Sequence, residues 1–135
     1  MKSRWIMIAS ASLLLAHGTI LLFASEFPYR LFDLGSNSGG SAGAQLFGAA
    51  LIGLGLMNWT ARGIALGGIY GRALVYGNFT WFFIGFLVSF RAHFNGFGNG
   101  YFWIEVVLFL GLALAFGLLL FKGRPVETNL RRPEG

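Results

Sequence analysis

Cysteine is absent from the 135 residues, histidine appears twice, and acidic side chains number five. The missing thiols exclude disulfides, thiolate metal sites and thiol redox chemistry together, and leave the compartment open. Charge of either sign is scarce: Asp, Glu, Lys and Arg make up 11% of the chain, against about 25% in ordinary soluble domains. A soluble domain this small has much surface for its volume and needs polar groups to cover it. Apolar residues reach 56%, so the composition points to lipid as the solvent. The length has room for one domain. A formal net charge of +5 raises nucleic acid as a partner, but such binding gathers basic residues on one surface. Here they are spread among the gaps between apolar runs, and no nucleic-acid partner is expected.

Crossing roughly 30 Å of hydrocarbon takes about 20 apolar residues. Four stretches qualify, at 5–24, 42–59, 73–90 and 101–121. Each is expected to be helical, because lipid offers the backbone no partner except the chain itself. The expected fold is all-α: an integral membrane antiparallel four-helix bundle over residues 1–121, followed by a basic, disordered cytoplasmic tail at 122–135. The first stretch follows Lys2 and Arg4 like a signal peptide, yet its apolar run is long and no small-x-small cleavage site follows. It is expected to be retained. An even number of spans leaves both termini on one side, with eight Lys or Arg residues there and two (Arg30, Arg91) on the other. The positive-inside rule then places both termini in the cytoplasm.

Between the first two spans, SEFPYRLFDLGSNSGGS is too apolar at Phe27, Tyr29, Leu31 and Phe32 for a solvated loop. Pro28 is expected to start a short helix on the outer surface. The following GSNSGGS reads as a flexible joint. The second loop, TARGIALGGIYGR, is also apolar and reads as partly embedded.

The second span, within SAGAQLFGAALIGLGLMNW, is glycine-rich without being a nucleotide loop. It lacks the Lys-Ser/Thr of a phosphate loop, and GLGLMN fails the dinucleotide pattern at its third glycine. Small residues instead let membrane helices approach closely. On a wheel of about 100° per residue centred on Gln45, Ala44, Gly48 and Gly55 fall on one flank and Ala49 and Gly53 on the other. Phe47, Leu51, Leu54 and Met57 then form the lipid face. In the third span Gly85 and Asn78 join Leu74 and Ser89 on a packing side. The fourth carries Gly111-x-x-x-Ala115 and Ala113-x-x-x-Gly117 on different sides.

Few polar residues fall within spans. Glu105 is the one acid, about 6 Å below the outer boundary, and His17 lies about 10 Å below the same boundary. Gln45 shares that half, and Arg91, His93 and Asn95 sit just above it. His17, Gln45, Glu105 and Arg91 thus form a candidate polar cluster. One reading pairs Glu105 with Arg91 or with water; the other turns it inward as a proton or ligand site, since intramembrane acids are functional candidates. The cluster as a whole reads either as a small outward pocket or as a clasp between helices worth about 0.6 kcal/mol per contact. Asn78, nearer the inner side, reads as an interhelical hydrogen bond. Two histidines at different depths and one in-span carboxylate do not make a structural zinc site, so no metal or cofactor is expected. No serine or threonine sits in a triad-like pattern, so no catalytic residue is assigned.

SEFPYRLF, then AGAQLFGAALIGLGLMNWTAR, GRALVYGNFTWFFIGFLVSF and a last helix rich in Leu, Ala and Gly form a pattern over nearly the whole chain. It resembles the small four-span bacterial membrane proteins near the DoxX-like superfamily, in helix lengths and glycine placement. The resemblance implies a bacterial inner-membrane location and transfers no functional residue. Three functions stay open: a subunit or organiser of a membrane complex, as partner or homo-oligomer; a small proton-coupled transporter using Glu105; and a binder of quinone, lipid or another apolar molecule in the outer leaflet.

Overall fold

The computed structural model describes residues 2–32, 38–63 and 68–122. These form five α-helices: α1 (Lys2–Phe23), α2 (Glu26–Leu31), α3 (Ser38–Ala61), α4 (Ile69–Phe94) and α5 (Trp103–Lys122), with a 3-10 turn at Gly100–Phe102 before the last. The expected tail lies outside the described residues except for Lys122, which ends α5. α1, α3, α4 and the turn-plus-α5 segment are each long and apolar enough to cross a membrane, with mean hydropathies of 1.2 to 2.6 over their best windows.

Several helix boundaries differ from expectation. α4 begins at Ile69 and runs to Phe94, four residues beyond the expected span at each end. Ile69 and Tyr70, placed in the second loop, belong to α4 instead, while residues 64–67 of that loop lie outside the described residues. Ser38, Gly39 and Gly40, read as part of a flexible joint, are the first turn of α3, while Gly35 to Asn37 lie outside the described residues. Each helical glycine costs about 1 kcal/mol against alanine. A tertiary tie opposes that cost: the Ser25 and Ser41 hydroxyls share a hydrogen bond of 3.0 Å. α2 starts two residues before Pro28, which sits in the first turn. A ring nitrogen without hydrogen is tolerated there because first-turn N–H groups have no intrahelical acceptor.

Burial follows one rhythm on all four long helices. The inward positions are Met7, Ala11, Leu14, Gly18 and Leu21 on α1, and Gly48, Leu51, Gly55 and Asn58 on α3. On α4 they are Gly71, Val75, Asn78, Phe82 and Ser89, with Gly85 half-buried between the last two. Phe102 of the 3-10 turn starts the series that Val106, Phe109, Ala113 and Phe116 continue on α5. Steps of four and three alternate, the 3.5-residue period with which helices keep a seam facing a neighbour. The outward positions are apolar as well: Leu46, Ile84, Val107 and Leu114 are all exposed.

The helices pack as two pairs. Between α1 and α3 the contact is backbone on backbone. A β-carbon at Gly18 would stand 2.7 Å from the Gly48 carbonyl oxygen, one at Gly48 2.7 Å from the Gly18 oxygen, and one at Gly55 2.9 Å from Leu15 Cγ. Ser25 meets Ser41, Gly18 meets Gly48 and Ser10 meets Asn58, so the two helices run in opposite directions. Between α4 and α5 aromatic rings fill the seam. Phe82 stacks on Phe116 at 5.8 Å and lies 6.1 Å from Phe109. Gly85 and Gly117 are the sockets, their would-be β-carbons 3.5 Å from Phe109 and 3.3 Å from Phe79. This pair also runs in opposite directions, Trp103 meeting His93 and Phe116 meeting Phe82.

The buried side of α3 is turned from the expected one. Leu51, assigned to lipid, is 2% exposed in the core, whereas Gly53, assigned to packing, has no atom within 4 Å of a would-be β-carbon. Gln45 is exposed. The true stripe centres roughly 100° away from Gln45 on the same wheel, because it follows Gly48 and Gly55 and interleaves the bulky Leu51. Gly111 likewise faces open space, leaving Ala113 and Gly117 as the packing side of α5.

These environments predict opposite outcomes for similar changes. Gly18→Leu or Gly48→Leu is expected to lower stability by at least about 1–3 kcal/mol, the cost of overpacking. Gly53→Leu should stay within about 0.5 kcal/mol of the parent. Reversible unfolding in mixed detergent micelles measures both.

Candidate functional site

Two polar links join the helix pairs, one toward each end. The first lies toward the end where α1 begins. Asn58 and Asn78 face each other across α3 and α4 and exchange two amide hydrogen bonds, Nδ2 of Asn58 to Oδ1 of Asn78 at 2.7 Å and the reverse at 2.8 Å. The second hydrogen of each amide is also used. Asn58 Nδ2 donates to Ser10 Oγ at 3.1 Å, and Asn78 Nδ2 to the Leu74 carbonyl at 2.9 Å. Ser10 Oγ in turn donates to the Met7 carbonyl at 3.1 Å. All three residues have zero exposure. Every side-chain donor in the group therefore has an acceptor, the condition for burying amides without the penalty of an unmade bond. Such a network fixes helix register and has no free group left for chemistry.

The second link lies seven residues further along α1, about 10 Å away. His17 Nδ1 stands 3.8 Å from Glu105 Oε1, with side chains 27% and 14% exposed. This pair ties α1 to the start of α5. Gln45 and Arg91, expected in the same cluster, are both exposed. Among the described residues the ion pairs are His17–Glu105 and the exposed Arg30–Glu26, so the expected Glu105–Arg91 pairing is not formed. The outer-leaflet pocket that needed His17, Gln45 and Glu105 together therefore has two of its three members in contact.

A tight cap closes the bundle beyond that pair. α4 ends in a left-handed turn at Gly96 (φ 84°), with Gly96 N–H bonded to the His93 carbonyl and Phe97 N–H to the Ala92 carbonyl. This is the double bond pattern that glycine supports at helix ends. Asn99 then ties three segments. Its N–H donates to the Phe32 carbonyl, its Nδ2 to the Leu31 carbonyl, and its Oδ1 accepts from Tyr101 N–H. His93 is enclosed by Phe102 at 6.1 Å and Trp103 at 4.8 Å, its Nδ1 buried without a hydrogen bond. Trp81, midway along α4, stacks on Phe47 at 5.7 Å. Among the described residues no three His, Asp or Glu side chains gather closely enough to hold a metal ion.

No family model, curated protein or solved structure matches the chain. Function must therefore be argued from these residues themselves.

Asn78 was visible in the sequence as a mid-span amide, but its partners were not. Asn58 sits at the edge of its apolar stretch, where an asparagine passes for an interfacial residue. Its signal is position: Gly48, Leu51, Gly55 and Asn58 continue one three-and-four series. Gly18 was hidden in the same way, as one glycine in a leucine-rich run.

Interhelical bonds of this type contribute about 0.6 kcal/mol on average and about 1.7 at most. Removing one partner strands the other, so Asn58→Leu is expected to cost more, about 1–3 kcal/mol. Adding Asn78→Leu should restore part of that loss. A double-mutant cycle in micelles checks the sign: purely additive losses would mean the two amides act independently.

Proposed function

We propose that this chain is a non-enzymatic integral membrane protein, an antiparallel four-helix bundle with both termini in the cytoplasm, that serves as a subunit or organiser of a membrane assembly. One observation carries this reading: the deeply buried Ser10, Asn58 and Asn78 spend all their donors on one another and on backbone, while the outward faces remain apolar. The molecule is thus built to hold four rods in fixed register and to present lipophilic surface. The arginine distribution supports the orientation, and the DoxX-like resemblance supports a bacterial inner membrane. A reporter fused after Gly135 is expected to be active in the cytoplasm and silent outside. Protein released by mild detergent is expected to migrate with a membrane partner or with further copies of itself. A lone monomer at every detergent strength would sink the organiser reading.

A second reading is favoured by the half-buried His17–Glu105 pair, the arrangement from which a proton-carrying transporter would work. Glu105→Gln separates the two. A scaffold keeps its assembly and in-cell function with the neutral side chain, whereas a proton-driven carrier loses essentially all gradient-dependent flux in proteoliposomes.

A further inference from the structure

Each helix pair is tightly packed within itself, and the two pairs meet one another along much shorter stretches. The two polar links that cross between them differ in one respect. Ser10, Asn58 and Asn78 contain no titratable group and have zero exposure. His17 and Glu105 both titrate, and they stand 3.8 Å apart with side chains 27% and 14% exposed. Between the two links lies a space of about 10 Å³. Leu13 and His17 of α1, Leu51 of α3, Phe82 of α4 and Phe109 of α5 all border it, and the rest of its lining is leucine. That size suits a single water, but a buried water needs two to four polar partners, and His17 is the one polar residue there.

We propose that His17 and Glu105 are a proton-controlled latch between the helix pairs, which hinge about the Ser10–Asn58–Asn78 group. Proton counting carries the argument. With one exchangeable proton between them the two side chains are neutral as a pair, whichever of them holds it. A second proton leaves an uncompensated positive charge, and loss of the last proton leaves an uncompensated negative one. A lone charge in a low-dielectric site favours any arrangement that lets water reach it. The arrangement open to it here is separation of α1 from the start of α5, because this pair is the polar tie between them. The latch is therefore closed in the middle of the pH range and opens on either side.

The neighbouring elements bring no compensating charge. α3 has no charged residue in Ser38–Ala61. α4 brings Arg91 and His93 in its last turn. Arg91 is exposed, His93 is enclosed by Phe102 and Trp103, and neither lies within ion-pair distance of Glu105. The other titratable groups toward this end, among the described residues, are Glu26, Tyr29 and Arg30 of α2 and the exposed Tyr101. Glu26 and Arg30 pair with each other.

The latch rests on the bilayer placement above, whose failure would show as solubility without detergent, not as an altered pH profile. It needs no transported proton, so it stands apart from the carrier reading. The chain has no cysteine, which leaves introduced thiols as the only sites for spin labels. Ile20→Cys with Val107→Cys reports on α1 and α5 at the latch end, and Trp5→Cys with Leu118→Cys at the hinge end; all four positions are exposed. Pulsed electron spin resonance in nanodiscs, whose two faces share one buffer, reads both distances from about pH 4 to about pH 9, across the ordinary carboxyl and imidazole ranges. The latch-end distance is expected to be shortest at intermediate pH and longer at both extremes. Its open-to-closed ratio should change by no more than about tenfold per pH unit on each limb, the slope of one proton. The hinge-end distance should stay fixed. Glu105→Gln should erase the alkaline limb and keep the acid one, and His17→Gln should do the reverse, an exchange that a merely structural contact would not produce. A parent profile with no minimum in the latch-end distance would overturn the proposal. So would equal lengthening at both ends, or a folded glutamine variant that retains the limb it should lose. The labels occupy exposed sites, so the parent profile decides even where a glutamine variant does not fold.

Discussion

The carbonyl oxygens of Gly18 and Gly48 each lie where the other residue's β-carbon would stand. That reciprocal contact sets the distance between α1 and α3, and much else follows from it. With backbones this close, Ser10 comes within hydrogen-bond reach of Asn58, and Leu51 is driven into the core rather than toward lipid. In the bilayer proposed for the chain, helices have no hydrophobic drive toward one another, and dispersion at such close approach and a few interhelical hydrogen bonds would do the work. The α4–α5 pair reaches the same end differently, by seating phenylalanine rings against Gly85 and Gly117.

Between the pairs the division of labour is by depth. The amide–hydroxyl group locks register toward one end in a dry site, and the His17–Glu105 pair spans the seam toward the other where the side chains remain partly accessible. The first is a closed hydrogen-bond account and the second an open one. That difference makes the first a structural device with no donor left over, whereas the second keeps partly exposed polar atoms.

The sequence showed the number of helices and their approximate limits, because length and hydropathy are properties of whole segments. Helix ends were less visible. Ile69 and Tyr70 have no feature that separates an apolar loop from a continuing helix. Facing was the harder problem. When every side of a helix is apolar, a polar residue becomes the natural landmark, and Gln45 misled in that role. The glycine pair seven residues apart, Gly48 and Gly55, pointed at the correct side. The partners of Asn78 and of Glu105 depended on how four separate segments align, which no single segment encodes.

α4 is the longest rod, 26 residues or about 39 Å, set against roughly 30 Å of hydrocarbon. In the bilayer proposed for it, the surplus is absorbed by leaning or by emergence of the ends. The stretch between Arg72 and Arg91 alone matches the oily thickness, so emergence is the cheaper choice. The Gly96 reversal, Asn99 and the caged His93 then ride at headgroup level, and changes in membrane thickness would act first on that cap.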